Sequence, residues 1–235
     1  MGKESIKEQG NTIKDWNEAD RPREKLALYG ESSLSNAELL AILIGSGTQQ
    51  KSAVELMRDV LKVCDGHLSR LGKMSIAELM KFNGIGDAKA ITIKAAAELG
   101  RRRALEHVDG MQQIANASEA YAYMYPLMRD LKCEEFWVIL MNNSSRIIKR
   151  VKISTGGLTA TAVDIRVVLK EALISDATCM IVCHNHPSGS LRPSNDDKNL
   201  TSHLVAASRT MNIRLIDHVI VTDGNYYSFA DNGLI

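Results

Sequence analysis

CMIVCHNHPSGSLRPSNDD, residues 179–197, changes character at its sixth letter. Five apolar residues end in HNHP, a turn rich in serine and proline follows, and two adjacent aspartates close the run. The apolar part has the length and composition of a buried strand. Side chains alternate along a strand, so His184 and His186 face one side and Asn185 the other. Pro187 ends the pairing, because it has no N–H to give to a ladder. Ser194 and Asp197 stand three apart at the start of a helical pattern, the spacing of a capping box. The stretch therefore reads strand, loop, helix, with two imidazoles at the mouth of the strand.

Two imidazoles on one face can grip one ion. Asp197, with Asp196 beside it, is the nearest third ligand. Two histidines and a carboxylate leave a tetrahedral Zn2+ with one open position, which is how catalytic zinc sites differ from closed structural ones. The residues alone leave another reading open, in which Ser194 and Asp197 only cap a helix and ordinary hydrogen bonds satisfy the histidines. The two are compatible, since a capped helix start also fixes where Asp197 points. The four cysteines, Cys64, Cys133, Cys179 and Cys183, form no C-x-x-C pair and read as small buried hydrophobes. Cys183 adjoins His184 but points to the opposite face.

Outward from this stretch the periodicities alternate. Toward the N-terminus, EEFWVILMNNSSRIIKRVKIS reads as two strands around the turn NNSS, and AVDIRVVLKEALISDA as an amphipathic helix. Beyond it come a helix over about 195–211, the strand NIRLIDHVIVT, and a turn with a short strand in DGNYYSFADNGLI. This alternation predicts an α/β domain over 113–235 with a mixed sheet covered by helices. Its first element is a helix over about 118–131, which Pro126 bends or ends. His218, after Asp217 in the last long strand, reads as a paired core histidine with a role behind the metal as the alternative.

Residues 21–112 read as a helical domain, with helical periodicity from Arg21 to about Arg103. NAELLAILIGSG stops at Gly45, SAVELMRDVLKVC follows the N-cap Ser52, and SIAELMKF opens with a Ser75–Glu78 capping box. NGIGDAKAITIKAAAELGRRR then resembles a helix-hairpin-helix. Backbone N–H groups around Gly84 and Gly86, with Lys89 behind them, would meet a phosphate of non-specifically bound DNA. The plainer reading is a tight turn packed on its neighbours. LEHVDGMQQIANAS reads as a polar linker, and residues 1–20 as a loose arm.

The chain has 235 residues, 45% hydrophobic and 24% charged, with formal net charge +1. That suits one large or two small globular domains and excludes a strongly basic nucleic-acid binder, although a local patch remains open. No apolar run approaches the roughly 20 residues of a membrane span, so no membrane partner is expected. The first residues carry no apolar core of a signal peptide, so the expectation is a cytoplasmic protein. The oligomeric state is not readable.

H-x-H, seven residues, S, two residues, D is the JAMM (MPN+) motif, and His184, His186, Ser194 and Asp197 match it position for position. GGLTATAVDIRVVLKEAL, HNHPSG, PSNDD and LIDHVIV resemble the RadC family of JAB-domain proteins, as do DRPREKLALYG and LSNAELLAILIGSG near the start. The likeness runs from about residue 20 to 235. It implies a JAMM/MPN-like, cytidine-deaminase-like fold, a zinc ion on His184, His186 and Asp197, and hydrolysis of a peptide or isopeptide amide in an unknown protein or peptide substrate. It also implies a glutamate from an earlier strand as general base. E-x-F selects Glu134, which shares a face with Phe136, while Glu135 faces the other way and stays in reserve. Ser194 would hydrogen-bond the oxyanion.

Two other functions stay open. One is a non-enzymatic DNA-binding accessory protein that keeps the zinc fold; the other, with less support, is a metal-dependent nuclease. The contiguous letters HNH are no argument for the latter, since the endonuclease of that name draws those residues from separated positions. A base deaminase is excluded by the lack of H-x-E and P-C-x-x-C.

Overall fold

The computed structural model describes residues 13, 16–109, 112–156 and 163–235. Most of the expected arm (1–12, 14 and 15), residues 110 and 111 of the expected linker, and the GLTATA portion of the family-like run (157–162) lie outside these. Backbone contacts divide the chain into two units, Met1–Gly100 and Arg101–Ile235. No helix among the described residues is long and apolar enough to cross a membrane.

The first unit is helical: α1 (Pro22–Tyr29), α2 (Asn36–Ile44), α3 (Ala53–Val63), α4 (Leu68–Lys73), α5 (Ile76–Leu79) and the start of α6 (Asp87–Asp109). Reciprocal capping boxes start three of them, Ser35 with Glu38, Ser52 with Glu55, and Ser75 with Glu78. Gly45, left-handed at φ 72°, stops α2. Leu40, Ile44, Val54, Met57, Val60, Leu79 and Ile93 are buried in one core. Ile13 and Trp16, from the stretch expected as a loose arm, pack against it. Two large apolar side chains gain more from burial than a polar run suggests.

Gly84 belongs to this packing. Its φ is +99°, and a Cβ there would lie 2.2 Å from Thr48 Cγ2. Gly84→Ala should therefore lower stability by roughly 1–3 kcal/mol through overpacking and backbone strain. A urea unfolding midpoint equal to that of the native chain would contradict this.

The expected helix end near Arg103 is corrected. Helix α6 continues to Asp109, into the stretch expected as linker. Ala104, Leu105 and Glu106 are good helix formers, and no glycine or proline interrupts them before Gly110.

The second unit is a five-stranded mixed sheet in the order β2-β1-β3-β4-β5. Its strands are β1 (Glu135–Met141), β2 (Ile147–Thr155), β3 (Cys179–Asn185), β4 (Arg214–Val221) and β5 (Tyr226–Ser228). β3 and β4 run parallel; the other neighbours are antiparallel. Helix α7 (Ala117–Met128), with Pro126 inside its last turn, covers one face through Ala120, Tyr123, Met124 and Met128. Ile139, Ile181, Cys183 and Val219 answer from the sheet. The opposite face carries Phe136, Val138, Leu140, Met180 and Val182 against α8 (Ile165–Ile174) and α9 (Asn195–Thr210). This alternation is the strand period made visible. Cys183 lies in the α7 layer, so its neighbour His184 turns to the α8–α9 side.

Candidate metal centre

The site forms where β3 ends and α9 begins. His184 is the partner of Phe136 across the β1–β3 ladder and stacks on it with ring centroids 6.2 Å apart. Only 4% of His184 is exposed. His186 follows one residue beyond the strand. Ser194 caps α9: its hydroxyl accepts from Asp197 N at 3.1 Å and donates to Asp197 Oδ2 at 2.7 Å, and its N–H donates to the same oxygen at 2.7 Å. The capping box thus aims the carboxylate, leaving Oδ1 to face His184 Nε2 at 3.3 Å. His186 Nε2 lies 3.0 Å from His184 Nε2 and 3.7 Å from Asp197 Oδ2. One ligand atom from each residue falls within 4.8 Å of the others.

The donor set fits a tetrahedral cation. Bonds of about 2.0 Å to nitrogen or oxygen place tetrahedral ligands about 3.3 Å apart, and the separations of 3.0 and 3.3 Å lie at or just below that value. The proton positions fit as well. His186 Nδ1 lies 2.7 Å from Ser190 O. A carbonyl only accepts, so Nδ1 holds the proton and Nε2 presents a lone pair to the centre. A nitrogen lone pair directed at a neighbouring nitrogen and a carboxylate is the arrangement a cation binds.

Electrostatics support this. Burial pushes His184 down to about 4, against the opposing pull of Asp197. For Asp197, burial works upward but is outweighed by the His186 contact, the His184 charge and the Ser194 donors, which hold it well below the usual carboxylate range. For His186, burial works downward and is outweighed by Asp197, the Ser190 carbonyl and the charge of Glu134, so its pKa is raised.

Glu134 precedes β1 and is half-buried, and its charge is felt at His186. Its carbonyl accepts from Gly156 N at 2.8 Å. Asn185, between the two histidines, clamps the residues on either side of Glu134. Its Oδ1 accepts from Glu135 N at 2.7 Å and its Nδ2 donates to Cys133 O at 3.0 Å. Glu135 is occupied elsewhere: its carboxylate takes Trp137 Nε1–H at 2.9 Å and Lys152 Nζ at 3.0 Å. Of the two glutamates, Glu134 is the one whose charge reaches His186.

Three residues behind the centre carry more than the sequence indicated. Thr201, one turn beyond Asp197 on α9, contacts His218 on β4, and His218 in turn contacts His184. Asp217 accepts from Ser228 Oγ, Ala230 N and His218 N, tying the segment after β5 to β4. Burial nonetheless raises its carboxyl. Thr201 left one trace in the sequence, a hydroxyl in the buried stripe that Leu204 continues. Asn185 left none beyond its place between the histidines.

The residues considered for DNA lie in the first unit. Gly84 is packed on Thr48, whereas nothing lies within 4 Å of a Cβ built on Gly86. Lys89 Nζ donates to Ser46 O, Gly47 O and Gly84 O at 2.7, 3.3 and 2.8 Å, so its three protons serve backbone carbonyls of the Gly84 turn and of the segment after α2.

A mixed sheet between helical layers, with H-x-H at a strand end and S-x-x-D at the facing helix start, defines a JAB/MPN-like domain. A family model described as "RadC-like JAB domain" matches residues 114–234, just over half the chain, and one described as "UPF0758 N-terminal" matches residues 13–91. The chain belongs to this RadC-like JAB family. A UPF0758 protein of Flavobacterium johnsoniae is 47% identical over 94% of this chain and 96% of its own length. One from Porphyromonas gingivalis is 43% identical over 95% and 100%, and one from Methanosarcina mazei 37% identical over 95% and 96%.

Proposed function

We propose that the chain is a zinc-dependent hydrolase of peptide or isopeptide bonds. The observation that carries this is the convergence of His184, His186 and Asp197, with Glu134 near enough for its charge to act on His186. A closed structural site would need a fourth protein ligand, and no further histidine, cysteine or acid joins the group among the described residues.

His184, His186 and Asp197 would hold zinc, which would supply Lewis acidity and ease the loss of a proton from water near neutral pH. The chain's own residues carry the rest. A Glu134 carboxylate oxygen takes the proton from water and delivers it to the leaving amine. Asn185 keeps that carboxylate in place through the backbone on either side of it. The Ser194 hydroxyl turns from Asp197 Oδ2 to the oxygen on which negative charge develops. Buried His184 and its Phe136 stack make the floor of the site.

The test is substrate capture with Glu134→Gln in cell lysate, read by mass spectrometry. Retained proteins or peptides that the native chain cleaves support the reading. Nucleic acid in place of protein supports an accessory role on DNA instead.

A further inference from the structure

Behind the metal centre a chain of hydrogen bonds leads from one expected ligand to the backbone of another. His184 Nδ1 lies 2.7 Å from His218 Nε2. His218 Nδ1 lies 2.6 Å from Thr201 Oγ1. The Thr201 hydroxyl donates to the Asp197 carbonyl at 2.6 Å. Thr201 is 1% exposed and His218 is wholly buried, so water does not compete for these groups.

Counting protons along the chain fixes its direction. A carbonyl has none, so the single hydroxyl proton of Thr201 lies in the bond to Asp197. The hydroxyl therefore meets His218 Nδ1 with a lone pair, and that nitrogen must carry a proton. The His218 ring is neutral. It sits in the core with Phe229 stacked at 4.6 Å and Phe136 edge-on at 5.6 Å. Neither ring nitrogen is hydrogen-bonded to a carboxylate: the oxygens of Asp217 on the same strand take Ser228, Ala230 and the His218 backbone N–H. A neutral imidazole with its proton on Nδ1 accepts at Nε2. His184 then donates from Nδ1, and its Nε2 is bare.

We infer that Thr201 and His218 are positioning residues that fix the tautomer and orientation of His184, so that its Nε2 lone pair faces the metal. The inference rests on the proposed reading of the site as a zinc centre. Were the chain reversed, the proton would sit on His184 Nε2, between the ligand and the ion. Thr201 also bonds to the residue that supplies the carboxylate ligand, so the same hydroxyl joins α9 to β4 and, through His218, to His184 on β3. Partners behind a metal ligand typically change affinity by about 10- to 100-fold when lost.

Two measurements on the full chain test this. The first is zinc affinity by competition with a chromophoric chelator. Thr201→Val keeps the shape of threonine and removes the hydroxyl, and should weaken zinc binding by about 10- to 100-fold. Thr201→Ser restores the hydroxyl and should bind as the native chain does. The second is long-range proton–nitrogen NMR of the imidazoles in zinc-free native protein, where His184 and His218 should both be protonated on Nδ1 alone. Native zinc affinity in Thr201→Val, or a proton on Nε2 of either ring in the native chain, would overturn the inference. A native chain that bound no zinc would sink the reading of the site, while the NMR signals would still decide the tautomers.

Discussion

His184→Ala and Asp197→Ala should each purify without zinc, where the native chain holds about one ion per molecule. Either change leaves two protein ligands, and the remaining pair lacks the convergence that makes the site. Asp197→Ala removes the carboxylate and half of the α9 capping box together. His184→Ala empties a buried position against Phe136, so circular dichroism should accompany elemental analysis to separate metal loss from unfolding. Zinc at full occupancy in both folded variants would rule out this ligand set. The same geometry predicts a pH dependence. A histidine must be neutral to bind a metal. The pKa of His186 is raised above its ordinary value of 6.5, so a proton competes for it from above that pH. Zinc retention should therefore fall as the pH drops through this range and recover on its return.

The grouping of His184, His186 and Asp197 was legible because each element of it obeys a local rule. Strand alternation alone places His184 and His186 on one side and Cys183 on the other, and the structure has Cys183 in the α7 layer. The three-residue spacing from Ser194 to Asp197 gives the capping box that aims the carboxylate. Glu134 is selected by the E-x-F resemblance, and the same period puts Glu135 with Trp137 on the far face. What stayed hidden depends on chain-distant contacts. Nothing in the letters places Thr201 beside His218, which parallel pairing of β3 and β4 brings behind His184. Lys89 reads as free positive charge until the fold closes three carbonyls around it. The end of α6 is obscured for another reason: ALEHVD has the polar composition of a linker but opens with strong helix formers.

Glu134→Gln should abolish turnover of a captured substrate while zinc remains bound. The substitution keeps the size of the side chain and removes the base, and the loss of a general base costs roughly 10²-fold or more. Metal content should not change, because Glu134 is not among the three converging ligands. Glu135→Gln is the internal control. The amide still accepts the Trp137 indole N–H, and the lost pair with the half-exposed Lys152 is of the kind worth about 0–1 kcal/mol, so activity should stay near native. Ser194→Ala should retain zinc, lose roughly 10²- to 10³-fold in activity through the oxyanion, and lose about 1 kcal/mol of stability through the helix cap. Kinetics with elemental analysis on the same preparations read all three. An inactive Glu135→Gln beside an active Glu134→Gln would move the base to the other face of β1, against the Asn185 clamp. Native rates in both would leave zinc in place and remove the glutamate-assisted hydrolysis proposed for it.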